Sequence, residues 1–131
     1  MDTVSVRYFV TDIDTAVAFY TSHLGFAVEM HPGPGFAALS RGSLRLLLSK
    51  PSGGGGAGQS MPNGRQPEPG GWNRIQIQVL DLDKEVDRLR VAGVCFRSGI
   101  IVGNGGKQAL IEDSAGNPVE LFESFRSAAR T

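Results

Sequence analysis

The chain has 131 residues, with 13 basic against 13 acidic side chains and 40% hydrophobic residues. That is the size of one globular domain, which buries on the order of two-thirds of its unfolded surface without disulfide or metal staples. The charge is balanced along the chain as well as in sum, so no basic stripe exists for a nucleic acid or an anionic membrane, and both are excluded as partners.

The start, Met1 to Thr3, carries no basic leader, and no stretch approaches the ~18 apolar residues of a membrane span. A cytoplasmic protein is expected. Val4, Val6, Tyr8 and Val10 alternate with Ser5, Arg7 and Phe9, which predicts a strand with one apolar and one mixed face. Asp12 offers a helix cap, Ile13, Val17, Tyr20 and Leu24 follow at helical spacing, and Gly25 ends the helix. Residues 26–31 read as a strand and 32–35, Pro-Gly-Pro-Gly, as a turn. Two more strands are expected over Phe36–Arg41 and Leu44–Ser49.

Residues 51–71 hold eight of the 18 glycines, four of the seven prolines and almost no apolar side chain. Elsewhere glycine is near its usual ~7%. Such a segment cannot order itself by forming a core, and reads as a linker or a mobile flap. The plan then restarts. Ile75, Ile77 and Val79 alternate with Arg74, Gln76 and Gln78. Asp81 can cap a helix carrying Leu82, Val86 and Leu89, with Gly93 at its end. Strands follow near residues 94–97, 107–112 and 118–123, and the polar tail 124–131 frays. Cys95, the single cysteine, excludes an internal disulfide and a multi-thiolate metal centre. Between Val94 and Phe96 it reads as a buried apolar thiol.

The two halves repeat. Val10, Asp12, Asp14 and Val17 recur as Val79, Asp81, Asp83 and Val86, a constant 69 positions on. Gly42 with Leu46 matches Gly116 with Glu120, 74 positions on. Each half reads as strand, helix and three strands, so the expected class is α+β. The expected organisation is one domain over 1–131: module 1–50, glycine loop 51–71, module 72–123 and tail 124–131.

The run from Val10 to Tyr20 with Leu24, Gly25 and Phe26, and in the second half Val79, Asp81, Asp83, Glu112, Asp113 and Gly116 to Phe122, resembles the vicinal oxygen chelate superfamily. That superfamily includes glyoxalase I, extradiol dioxygenases and bleomycin-resistance proteins. The resemblance spans nearly the whole chain in order. It implies paired βαβββ modules whose curved mixed sheets surround a cavity, commonly in a homodimer. It also implies, in metal-dependent members, ligands on the first and last strand of each module. The first-strand place lies seven residues before the motif aspartate, at Ser5 and Arg74. The last-strand place follows the turn glycine by four, at Leu46 and Glu120. Only Glu120 is an ordinary ligand, because arginine brings a permanent charge and no lone pair, and a divalent site usually needs about three donors. No metal or other cofactor is expected.

On the same resemblance, Arg7, Phe9, Arg74, Gln76 and Gln78 line the cavity from the first strands. Leu46, Leu48, Glu120 and Phe122 line it from the last strands, and Phe36 adds contact area. Trp72 either stacks on a planar ligand or covers a core edge. Glu120 either pairs with Arg74 or Arg7, or contacts ligand as a polar group or general base. His23 at a helix end and His31 at a turn fall on no metal place. No nucleophile elbow or phosphate loop occurs. The expectation is a metal-free binding protein, rather than an enzyme, that sequesters a hydrophobic aromatic antibiotic or natural product at a dimer interface. The alternative is a lyase, isomerase or dioxygenase of the same superfamily, with or without a metal.

Overall fold

Asp12 holds extended backbone, and its carboxylate accepts the Asp14 amide at 3.1 Å. That cap starts α1 (Ile13–Leu24) in this computed structural model, which describes residues 3–126. The helix ends at Gly25, whose φ of 71° few other residues adopt, and the Phe26 amide closes the turn on the Tyr20 carbonyl. Before α1 lies β1 (Ser5–Phe9). After it come β2 (Ala27–Gly33), β3 (Phe36–Arg41) and β4 (Leu44–Ser49). The second half supplies β5 (Ile75–Gln78), α2 (Leu82–Val91), β6 (Phe96–Val102), β7 (Gly106–Glu112) and β8 (Pro118–Ser124). The predicted βαβββ repeat is therefore present, as an α+β fold. The fraying expected for the tail lies, over 127–131, outside the described residues.

The chain divides into two compact units. One comprises the residues up to Gly71 with Ser114–Asn117, the other Trp72–Asp113 and the chain from Pro118. In the first unit the sheet order is β1-β4-β3-β2, with β1 parallel to β4 and the rest antiparallel. Its apolar face carries Tyr8, Leu39, Leu46 and Leu48, and α1 turns Ile13, Ala16, Tyr20 and Leu24 inward; all are buried. In the second unit the order is β5-β8-β7-β6, with β5 parallel to β8. Ile75, Ile77, Ile111, Val119 and Leu121 are buried there with Leu82, Val86 and Leu89 of α2. The start of α2 is held twice. Asp81 accepts the Lys84 amide at 3.1 Å, and the Glu123 carboxylate of β8 accepts the Leu82 amide at 2.8 Å. Two orphan donors of the first turn are thereby satisfied.

Three expectations are corrected. β2 does not stop at His31 but runs through Pro32 to Gly33. It is a bulged edge strand, where a missing amide breaks no ladder bond. The strand expected over 94–97 starts at Phe96 and reaches Val102. Cys95 therefore precedes the strand, and its side chain is exposed rather than buried. Its carbonyl still accepts the Glu112 amide at 2.9 Å, so backbone pairing and side-chain burial part company here.

The glycine loop is folded as successive turns. The Lys50 amide bonds the Gly35 carbonyl at 3.1 Å, the Ser52 amide bonds the Gly58 carbonyl at 2.7 Å, and Gly56–Gly58 makes one 3-10 turn. Gly35 and Gly53 meet backbone to backbone, and a Cβ on Gly58 would sit 2.5 Å from the Lys50 carbonyl oxygen. At these positions glycine provides close approach rather than slack. At the far end Asn117 accepts the Gly70 amide and donates to the Phe9 carbonyl, both at 2.7 Å.

Leu48 is fully buried, whereas its neighbour Leu47 points to the opposite, half-covered face. Leu48→Ala is expected to cost about 2–5 kcal/mol in chemical denaturation, and Leu47→Ala clearly less. Equal losses would overturn this assignment of faces.

Candidate functional site

Residues paired across a sheet point to the same side. In the first unit, the face away from the apolar side is built in rows. Ser5, Arg45 and Ser40 form one, Arg7, Leu47 and Ala38 the next, and Phe9, Ser49 and Phe36 the last. Arg7, Phe9 and Phe36 thus share a face. Leu46 and Leu48 do not. They pair with Val6 and Tyr8 on the other side and are fully buried. The module-to-module shift for the last strand is therefore 73, and Leu47 occupies the place equivalent to Glu120. The turn glycine misled by one residue, and a one-residue slip reverses every side chain. The alternation of Arg45 and Ser49 with Leu44, Leu46 and Leu48 was the signal for it.

Over Phe9 lies a hollow of about 470 Å³ whose other walls are Arg65, Gln66, Pro67 and Glu68 of the glycine loop. Ser52 donates to the Gln66 side-chain oxygen at 3.2 Å and steadies that wall. No local pattern in the sequence brings these loop residues to β1.

In the second unit, Glu120 pairs with Gln76 on one side and Leu110 on the other, and Phe122 with Gln78 and Gln108. The structure joins Arg74, Gln76 and Glu120 directly. Arg74 donates through Nε and Nη2 to Glu120 Oε1, both at 3.0 Å, and Gln76 Nε2 donates to Oε2 at 2.7 Å. The Glu120 side chain is 10% exposed, so this carboxylate is compensated as a nearly buried charge must be. Of the alternatives open for Glu120, pairing with Arg74 is the one formed. Both of its oxygens are engaged, by a guanidinium and an amide.

Trp72 stands at the entry to this face and is 71% exposed. The Arg97 guanidinium lies 4.7 Å from its ring centre, and Arg97 Nε donates to Glu112 at 2.7 Å. Arg74 Nη1 also reaches the Trp72 carbonyl, at 3.4 Å. Arg97 and Glu112 were missed by sequence reasoning, since nothing local shows that β6 and β7 bring them together or that Arg97 reaches the indole. A second hollow, about 440 Å³, lies at the end of β5 and β8 between Gln78, Val79, Leu80 and residues 123–126. Of the expected site residues only Gln78 borders it.

His31 Nε2 lies 3.2 Å from Asp14, and His23 sits in the last turn of α1. Among the described residues no three His, Cys, Asp or Glu side chains converge on a point that could hold a metal ion. The donor chemistry at Glu120 does not fit a divalent cation, because the permanent positive charge of Arg74 lies 3.0 Å from Oε1 and brings no lone pair.

No curated protein matches the chain in sequence. Among solved structures, a lactoylglutathione lyase from Agrobacterium tumefaciens is 23% identical with a TM-score of 0.73, covering 93% of this chain and 92% of that one. TnmS3, an antibiotic binding protein from Streptomyces sp. CB03234, is 22% identical with a TM-score of 0.72, covering 95% and 96%. A superfamily member from Sphaerobacter thermophilus DSM 20745 is 24% identical with a TM-score of 0.74, covering 95% and 98%. At these identities the likeness concerns the fold. The family model for the Glyoxalase/Bleomycin resistance protein/Dioxygenase superfamily matches residues 3–121, and with the repeated βαβββ units this makes the chain a member of that vicinal oxygen chelate superfamily.

Proposed function

We propose that the protein binds a small, flat, largely apolar molecule without a metal, and that this binding sequesters an antibiotic or related natural product. The observation that carries the reading is the state of Glu120. The one ordinary ligand among the family's metal places spends both oxygens on Arg74 and Gln76. What remains on that face is recognition chemistry: an exposed indole backed by a guanidinium, amide side chains at Gln76 and Gln78, and the half-buried ring of Phe122. Mixed apolar surface with a few fixed polar groups suits small-molecule binding. The structural likeness to an antibiotic binding protein supports the same reading. The reading extends to a homodimer, supported by edge strand β6 with its exposed Ile100, Ile101 and Val102. A lyase reading is favoured by the comparable likeness to a lactoylglutathione lyase, and it requires a metal or a base that Glu120 does not offer.

Trp72 is the single tryptophan, so its emission reports on one place. Titration with a panel of planar aromatic antibiotics is expected to quench it and raise the melting temperature. A panel that moves neither would overturn sequestration.

Elemental analysis of protein purified without a metal-affinity tag is expected to find no stoichiometric divalent ion. One tightly held ion per chain would favour the lyase reading instead.

Arg74→Ala leaves the nearly buried Glu120 carboxylate with Gln76 alone. A stability loss of about 1–3 kcal/mol is expected, together with weaker ligand quenching. His23→Ala should change neither, and equal effects of both variants would remove the assignment of this face as the site.

A further inference from the structure

Among the described residues one buried side-chain polar atom has no hydrogen-bond partner, the hydroxyl oxygen of Ser49. Ser49 is 3% exposed, and its carbonyl is already spent on the Val10 amide at 3.0 Å. Its place is specific. It stands in the middle of a three-strand row, with Phe9 of β1 on one side and Phe36 of β3 on the other, all pointing to the same face. Phe9 is also a wall of the hollow closed by Arg65, Gln66, Pro67 and Glu68.

An unpaired buried hydroxyl is destabilising, and an apolar side chain would fit the row better. The second module shows that alternative, since the position equivalent to Ser49 by the 73-residue shift is Phe122. The hydroxyl therefore gives the fold nothing in return for its burial.

We propose that Ser49, Phe9 and Phe36 form a ligand subsite in the first unit, distinct from the Trp72 face. Its ligand is a flat aromatic ring carrying an oxygen, either a hydroxyl or a carbonyl. The ring replaces one of the two half-buried phenyl groups as cover over Ser49 and packs against the other. Its oxygen supplies the hydrogen-bond partner that the serine hydroxyl lacks. Residues 65–68 close over the edge of the ring, with Arg65 and Glu68 exposed at the rim. The inference rests on the small-molecule reading above and adds to it the position and chemistry of one subsite.

The test uses 1-naphthol and 1-methylnaphthalene, rings of similar shape that differ in the oxygen, titrated into the full chain by ligand-observed NMR. Wild type is expected to prefer 1-naphthol. Ser49→Ala should lower 1-naphthol affinity about five- to tenfold, leave 1-methylnaphthalene unchanged and keep or raise the melting temperature. Phe36→Leu should weaken both probes. If Ser49→Ala binds both as wild type does, the subsite is refuted while small-molecule binding stands. If neither probe binds wild type, the subsite is likewise refuted, and the antibiotic titration on Trp72 decides the broader reading separately. A fall in melting temperature for Ser49→Ala would show that the hydroxyl serves the fold, which also overturns the inference.

Discussion

Parallel pairing of the first strand with the last, β1 with β4 and β5 with β8, is the constraint on which the rest of each unit depends. Side chains alternate along a strand, so one choice of register settles which residues meet the helix and which are left for function. In the second unit it sends Ile75, Ile77, Val119 and Leu121 to the core. The same choice leaves Arg74, Gln76, Glu120 and Phe122 together on the other side. In the first unit it buries Leu46 and Leu48 and sets Phe9, Ser49 and Phe36 in one row.

The charged groups follow from that placement. A carboxylate as little exposed as Glu120 requires compensation, and register puts Gln76 beside it and Arg74 within reach. The result is a set of hydrogen bonds in which each carboxylate oxygen already accepts from a neighbour. Arg97 obeys the same logic, paired with Glu112 on one side and covered by the Trp72 ring on the other. The arginines here are neutralised where they stand, beside an exposed indole and the amide side chains of Gln76 and Gln78. That differs in kind from a cationic site for a phosphate or a polyanion.

The glycine-rich segment takes on a different meaning in three dimensions. Its composition suggests slack, and at Gly54, Gly64 and Gly70 the backbone does take positive φ. Yet Gly35, Gly53 and Gly58 are glycine because two stretches of main chain touch there, and a Cβ would part them. The segment is pinned at its start to the Gly35 carbonyl through Lys50 and at its end to Asn117. Between those pins it brings residues 65–68 to Phe9. A loop held at both ends can keep a wall over Phe9 without a core of its own.

Local patterns in the sequence were enough to read the repeat, both helix caps and the alternation of β1 and β5, because caps and periodicity act over a few residues. Asp12, Gly25 and Asp81 do in the structure what their chemistry requires anywhere. The strand faces carrying Arg7 and Phe9 in the first unit and Arg74, Gln76 and Glu120 in the second were legible for the same reason. Tertiary structure decided the rest. The register of β4 turned Leu46 and Leu48 to the core and Leu47 and Ser49 to the other face, since counting from a turn glycine cannot see how two hairpin loops differ in length. The start of β6 exposed Cys95, and the pairing of β6 with β7 brought Arg97 to Glu112. These are contacts between residues distant in the chain or choices of strand register. Only the pairing of whole strands, which satisfies the backbone and buries the apolar face at once, selects among them.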